Sequence, residues 1–221
     1  MAIIVTLLVG IVLLYLQSRS DDQRQQVADG VETQRQEQSE RLENLRFVRQ
    51  LASADTAAIK PFGDFDLREQ NLSGLNLTNA DFSGANLTSA NLIRIAAGGS
   101  RFPGAHLEGA NLNRGGFQGA NFAGAALNSA DFGESTLTDA EFYGADLTAA
   151  NLTGADLDGA HLRNSNLTGA NLLRADLTGA DLNGANLTDA NMTEVCYGTQ
   201  TIWPGGYVPP PSRTDMCTAQ S

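Results

Sequence analysis

Two cysteines and two histidines are all that 221 residues offer of the side chains that most often hold metals or build nucleophilic sites. Two thiols cannot complete a zinc site, and His106 and His161 stand far from both of them in the chain. No serine or cysteine has a base set within fixed reach by a recognisable motif, and nothing matches the glycine-rich loop that cradles phosphates. These absences argue against an enzyme and against a bound cofactor or metal. Basic residues are scarce as well. Residues 62–194 carry sixteen acidic side chains against six basic ones, a net −10 within a chain of net −11. Such a segment favours basic partners, and nucleic acid is not expected among them.

From Phe65 to Glu194 the sequence also lacks any insertion, because one five-residue phrase repeats there without a break. Its centres run from Leu67 in steps of five to Met192, 26 in all, and 24 of them are Leu or Phe, the exceptions being Ala97 and Met192. The residue two before the centre is Ala in 18 of the 26 units. A period of five suits neither helix nor strand, since the large side chains would wander over the surface of either. Repetition itself is therefore the feature to explain. The centre and the small residue two before it point inward. The other three positions, mostly Asp, Asn, Thr, Ser, Gly and Arg, are expected to face water.

A second period, of twenty, closes the coil. Phe62, Phe82, Phe102, Phe122 and Phe142 fall twenty apart and are expected to form one structural core column, with Phe117 and Phe132 off the series. Asn71, Asn91, Asn111, Asn151, Asn171 and Asn191 repeat the same spacing, and Asp131 fills the missing step. Four units therefore make one turn. About 6.5 turns at the roughly 4.8 Å spacing of paired strands give a rod about 31 Å long.

Units such as Ala85-Asn86-Leu87-Thr88-Ser89 and Ala175-Asp176-Leu177-Thr178-Gly179 resemble those of pentapeptide-repeat proteins. The resemblance implies an all-β solenoid, a right-handed quadrilateral parallel β-helix, over residues 61–194. Most members of that family have no assigned biochemical role, and a minority protect DNA gyrase by imitating duplex DNA.

The flanks are different. Residues 1–16 read MAIIVTLLVGIVLLYL, without a charged side chain. As a helix this run is about 24 Å long, short of the roughly 30 Å hydrocarbon core unless Gln17 and Ser18 extend it. It has neither the basic start nor the small-residue cleavage site of a signal peptide. The expectation is a transmembrane helix over residues 1–18, with Arg19, Arg24 and Arg35 placing the solenoid in the cytoplasm as part of a single-pass membrane protein. Residues 19–60 read as a polar, helical juxtamembrane stalk, because Gln34, Gln38 and Arg41 interrupt any coiled-coil heptad. The late apolar stripe of Leu42, Leu45, Val48 and Leu51 is suited to lie across the open first coil. Where the repeat weakens, at Ala97, Gly98-Gly99 and Gly115-Gly116, a groove is one reading and a slack, bulged corner is the expected one.

Residues 195–221 read as a C-terminal cap and a loose Pro-rich tail, with Ile202, Trp203 and Tyr207 as a plug over the last coil. Cys196 and Cys217 form a possible disulfide, which requires an oxidising compartment and so opposes the cytoplasmic placement. The column of Leu77, Leu137, Leu157 and Leu177 carries Asp139, Asp156, Asp158 and Asp176 with no base, and this is the candidate partner face. The expected function is a non-catalytic, membrane-tethered structural or interaction module that presents an acidic β-helix to a basic protein partner. The alternative is a DNA-mimic regulator of a DNA-binding enzyme such as gyrase. Duplex DNA carries about 18 charges over about 31 Å, nearly twice the charge of this rod, so the mimic is the weaker reading. Ice or surface binding through Thr148, Thr168 and Thr188 needs a longer threonine array.

Overall fold

The computed structural model describes residues 2–53 and 59–213, with side chains from residue 23 onward. The chain divides into two compact units, Met1–Leu42 and Glu43–Ser221. The first is helical. Helix α1 runs Ala2–Ala52, and its turns from Glu43 onward belong to the second unit. Good helix formers fill it, and no proline occurs before Pro61. Exposed pairs one turn apart, Gln25 with Asp29 at 3.0 Å and Arg35 with Glu32 at 3.2 Å, add a few tenths of a kcal/mol each.

The single-pass membrane placement is not upheld. Among the described residues no helix is long and apolar enough to cross a membrane. The apolar run ends after Leu16, at about 24 Å against the roughly 30 Å required, and α1 continues through Arg19, Asp21, Asp22 and Arg24 without a break. The side chains of residues 1–18, which carried the expectation, lie outside the described set. The cytoplasmic orientation rested on that anchor and goes with it.

In the second unit the chain winds into a coil whose rungs are one or two residues wide. Strand β1 (Lys60–Pro61) pairs in parallel with β2 (Ala80–Asp81). From Asp66↔Asn86 to Asp176↔Cys196, every further bridge is parallel and joins residues twenty apart. This is the four-unit turn that the phenylalanine and asparagine columns require. The last bridge, Asp181↔Ile202, spans twenty-one residues and marks where one extra residue enters the tail.

Each corner is a β-turn. The carbonyl of a centre accepts the N–H three residues on, as at Phe82 O from Ala85 N (3.0 Å) and Leu87 O from Ala90 N (2.9 Å). The residue two after the centre, from Glu69 to Glu194, has positive φ in all 26 units, which a type II turn demands of its third position. The residue before the centre fastens the same corner when it is Asn or Asp. Its Oδ1 accepts the N–H two residues on, for example at Asn71 from Ser73 (3.1 Å), Asn151 from Thr153 (3.2 Å) and Asp176 from Thr178 (2.9 Å). These side chains were expected simply to face water. Most of them are half-buried and hold the backbone.

Inside, the centres and the small residues two before them are buried. Phe82, Phe102, Phe122 and Phe142 stack at 5.1, 4.7 and 5.1 Å, with rings within 6° of parallel. Phe62 joins the column at 5.0 Å, tilted by 41°. Phe117 and Phe132 meet Phe122 edge-on at 5.6 Å. Neither groove nor bulge forms at Ala97. That residue is fully buried, and the ladder runs straight through it, with Ala97 N to Gly116 O at 2.7 Å and Gly99 N to Gln118 O at 2.8 Å. One coil on, the ring of Phe117 occupies the place where a side chain on Gly115 would stand. A large residue fills what its small neighbours leave.

A parallel coil ends in unpaired backbone, and both ends are covered. In later coils the carbonyl before each centre accepts the N–H of a centre one coil earlier. The first coil has no predecessor, and three side chains substitute for it. Asn44 Nδ2 donates to Asp66 O (3.5 Å), Arg49 Nη2 to Asn71 O (2.9 Å) and the buried Lys60 Nζ to Asn76 O (3.0 Å). Leu45 and Val48 are buried in the same core, and Phe47 meets Phe62 edge-on at 6.2 Å, whereas Leu42 is exposed. At the far end Tyr197 packs edge-on to Trp203 at 5.1 Å, and Trp203 stacks on Tyr207 at 5.5 Å. Burial pushes the Tyr207 phenol above its usual range. Ile202 is not part of this plug, being 49% exposed with its backbone in the ladder beside Asp181.

Candidate functional site

The candidate partner face is built from three successive coils. Thr136↔Asp156 and Asp156↔Asp176 are rungs of one ladder, and Asp139 N donates to Asp158 O at 2.9 Å, so the four aspartates lie on adjoining turns of one side. Asp139 occupies a positive-φ corner, while Asp156 and Asp176 stand before their centres and Asp158 after its own. Their charges are close enough to interact. The Asp158 carboxyl is held above the ordinary aspartate value, first by desolvation and then by repulsion from Asp176, Asp156 and Asp139. Asp156 and Asp176 each commit Oδ1 to a turn, at 3.2 Å from Asp158 N and 2.9 Å from Thr178 N. Their second oxygens leave the negative charge on the surface, with Thr138 Oγ1 donating to Asp156 Oδ2 at 3.2 Å.

Elsewhere some of the acids meet arginines along the axis. Arg114 meets Glu134 at 2.7 Å, Arg174 meets Glu194 at 2.6 Å and Arg163 meets Asp181 at 3.6 Å. The Arg114 and Arg174 guanidiniums hold the Glu134 and Glu194 carboxyls below the usual range. Asp81 also lies below its usual range, through the Ser83 hydroxyl first and Arg101 in lesser part.

The remaining candidates are not brought together. His106 sits 3.3 Å from Glu108, and His161 lies on a different ladder between Glu141 and Asp181. Among the described residues no group of three or more His, Cys, Asp or Glu side chains is arranged to hold a metal. Thr148, Thr168 and Thr188 spend their hydroxyls inside the wall. Thr168 Oγ1 donates to Asn166 Oδ1 (2.6 Å), Asn166 Nδ2 to Thr148 Oγ1 (2.8 Å) and Asn186 Nδ2 to Thr168 Oγ1 (2.9 Å), a zipper along the axis. Cys196 is disulfide-bonded, and Cys217 lies outside the described residues. The Asn44, Arg49 and Lys60 caps were missed in the sequence, where nothing but their place ahead of the first coil distinguishes them.

A family model for pentapeptide repeats matches the chain in eight copies, over residues 66–96, 90–122, 116–154 and 155–193, more than half its length. The chain belongs to the pentapeptide-repeat family. Its coil is the right-handed β-helix of that family, in keeping with the hand of parallel strand connections generally. No curated protein matches it. Among solved structures it is similar to a trypsin-treated form of QnrB1, a plasmid-mediated fluoroquinolone resistance protein, at 14% identity and a TM-score of 0.46, over 64% of this chain and 88% of the other. It is also similar to alr5209, a pentapeptide-repeat protein from Nostoc PCC 7120, at 33% identity and a TM-score of 0.39 over 44% and 77% of the two chains. HetL, a pentapeptide-repeat protein involved in heterocyst differentiation regulation from Nostoc sp. PCC 7120, matches at 21% identity and a TM-score of 0.22, over 70% and 96%.

Proposed function

We propose that this pentapeptide-repeat protein is a non-catalytic interaction module whose acidic face, Asp139, Asp156, Asp158 and Asp176, docks a basic protein partner. The observation that carries the reading is the gathering of these four carboxylates on adjoining turns of one side, with no base among them. A coil gains nothing in stability from crowding like charges, whereas a cationic side chain arriving at that face relieves the repulsion. On other faces arginines twenty or eighteen residues away offset some of the acids, so the charge is interrupted and is not the continuous line that a duplex presents. This favours a protein partner over the DNA-mimic reading.

The test uses an arginine- and lysine-rich peptide and its sequence-scrambled glutamine counterpart. The full chain should bind the basic peptide at low salt and release it as ionic strength rises. The triple variant Asp156→Asn, Asp158→Asn, Asp176→Asn keeps each Oδ1 acceptor for the corner hydrogen bonds and should lose that binding while melting at or above the original temperature. Equal binding by wild type and triple variant would sink the assignment of this face.

A further inference from the structure

The two ends of the coil carry groups that answer one another. In the body of the coil a centre donates its N–H to the carbonyl before the centre one coil on, as Leu147 N does to Asn166 O at 2.8 Å. The first coil therefore starts with acceptors at Asp66, Asn71 and Asn76, the three carbonyls that Asn44, Arg49 and Lys60 occupy. The last coil ends with donors at Leu187, Met192 and Tyr197. Tyr197 is provided for, since Ser212 Oγ accepts its N–H at 3.1 Å. Among the described residues the N–H groups of Leu187 and Met192 meet no acceptor. The reciprocal half of the ladder, in which Asn191 N donates back to Ala170 O at 2.8 Å, is open too. Among the described residues neither Asn71 N–H at the first coil nor Ala190 O at the last has such a partner. The plug of Trp203 and Tyr207 fills the middle of the far end but leaves this rim. Ala190 is half-buried there, whereas Ala150 and Ala170 in its column are fully buried.

Leu187 follows Leu67 by 120 residues, six whole turns, and Met192 follows Leu72 by the same 120, so each open donor stands in the column of its matching acceptor. A rim with rungs this narrow pairs only with a backbone whose carbonyls recur every five residues around the same square. The first coil of this chain is such a backbone. We infer that the last coil is an interaction surface for the first coil of a second copy, stacked head to tail, and that the end of α1 is the stopper that prevents it. In the stack Leu187 and Met192 donate to the second copy's Asp66 and Asn71 carbonyls, and Ala190 O accepts its Asn71 N–H. The incoming coil takes the place of the Trp203–Tyr207 plug. Such a contact joins two different ends, so it does not close on itself and grows into a filament. While Asn44, Leu45, Val48 and Arg49 cover the first coil, the chain stays single.

The test opens the first coil in the full chain. Leu45→Asp with Val48→Asp puts two carboxylates into the apolar cover and lifts it, while the coil, supported rung by rung, keeps its far-UV circular dichroism. In sedimentation velocity this variant should form multimers that grow with concentration, and the wild type should stay monomeric. Added wild type should shorten the multimers, because its last coil seats on an open first coil while its own first coil is closed. Met192→Pro placed in the wild type removes the rim donor and should abolish this shortening. The milder pair Asn44→Asp, Arg49→Glu cannot donate to the two carbonyls yet keeps the apolar cover, so it carries the test should the aspartates unfold the coil, with assembly at higher concentration. Opened chains that stay single overturn the inference, as do multimers that wild type does not shorten and a Met192→Pro chain that shortens them equally. A wild-type dimer joined through two last coils overturns it as well.

Discussion

Every turn of the coil needs positive φ at one residue, yet some of these positions must be glycine and others need not, and the reason lies twenty residues earlier. Asp64, Asn79, Asp139 and Asn164, all at positive φ, each bring Oδ1 over the Cα of Gly84, Gly99, Gly159 and Gly184, where a Cβ would collide with it. At Gly144 the same space is open. Gly144→Ala should therefore cost only the left-handed penalty, about 1–2 kcal/mol. Gly159→Ala should cost clearly more, and Asp139→Ala should return the excess. A double-mutant cycle by denaturant unfolding measures this, and strict additivity would refute the contact. Asp158 supplies a second residue-scale prediction. Its carboxyl titrates above the ordinary 3.8 in the folded state, so folding favours the protonated form. That contribution is fully present below the ordinary value and is lost as pH rises through the raised one. The melting temperature of Asp158→Asn minus that of the wild type should grow across this window, and a difference flat with pH would contradict the crowding.

At the scale of elements, the coil is a stack whose middle rungs are alike and whose stability is decided at its ends. Each coil contacts its neighbours alone, so damage at one end should not spread to the other. Lys60→Met keeps the apolar stem but removes the donor to Asn76 O, a loss of roughly 1.5–3 kcal/mol for a hydrogen bond to a charged group. Hydrogen exchange should accelerate at the first-coil amides of Leu72, Leu77 and Ala80, while Leu177 and Leu182 keep their protection. Uniform acceleration along the whole coil would mean that the ends are not separate. Helix α1 belongs to this account only through its last turns, which close the core with Leu45 and Val48.

For the molecule as a whole, five residues are a quarter turn and twenty are a full one. Deleting residues 146–150 should leave a folded coil, because every centre from Leu147 to Leu187 is leucine and any of the four inner columns accepts it. The deletion should rotate Asp156, Asp158 and Asp176 onto the face beside the one that keeps Asp139. Far-UV circular dichroism should be retained, the Asp158 carboxyl should move back toward 3.8, and binding of a basic peptide should weaken. Deleting residues 141–160 removes a whole turn and leaves the faces in register. If the five-residue deletion leaves the titration of Asp158 and the binding of the basic peptide unchanged, five residues are not a quarter turn.

The inward centres, the four-unit turn and the phenylalanine column were legible in the sequence, because burial in a repeat is periodic and covalent spacing converts directly into position. The grouping of the four aspartates follows from the same arithmetic. Tertiary structure alone decided the rest, wherever the repeat stops or one coil meets another. Asn44, Arg49 and Lys60 have no repeat to betray them, and their role exists only because the first coil's carbonyls lack a predecessor. The glycines opposite Asp64, Asn79, Asp139 and Asn164 are packing relations between successive coils, invisible within a single pentad. The expected anchor shows the opposite limit. A run of apolar letters states hydrophobicity, but its length against a bilayer and the polar helix that continues it decide whether it spans one.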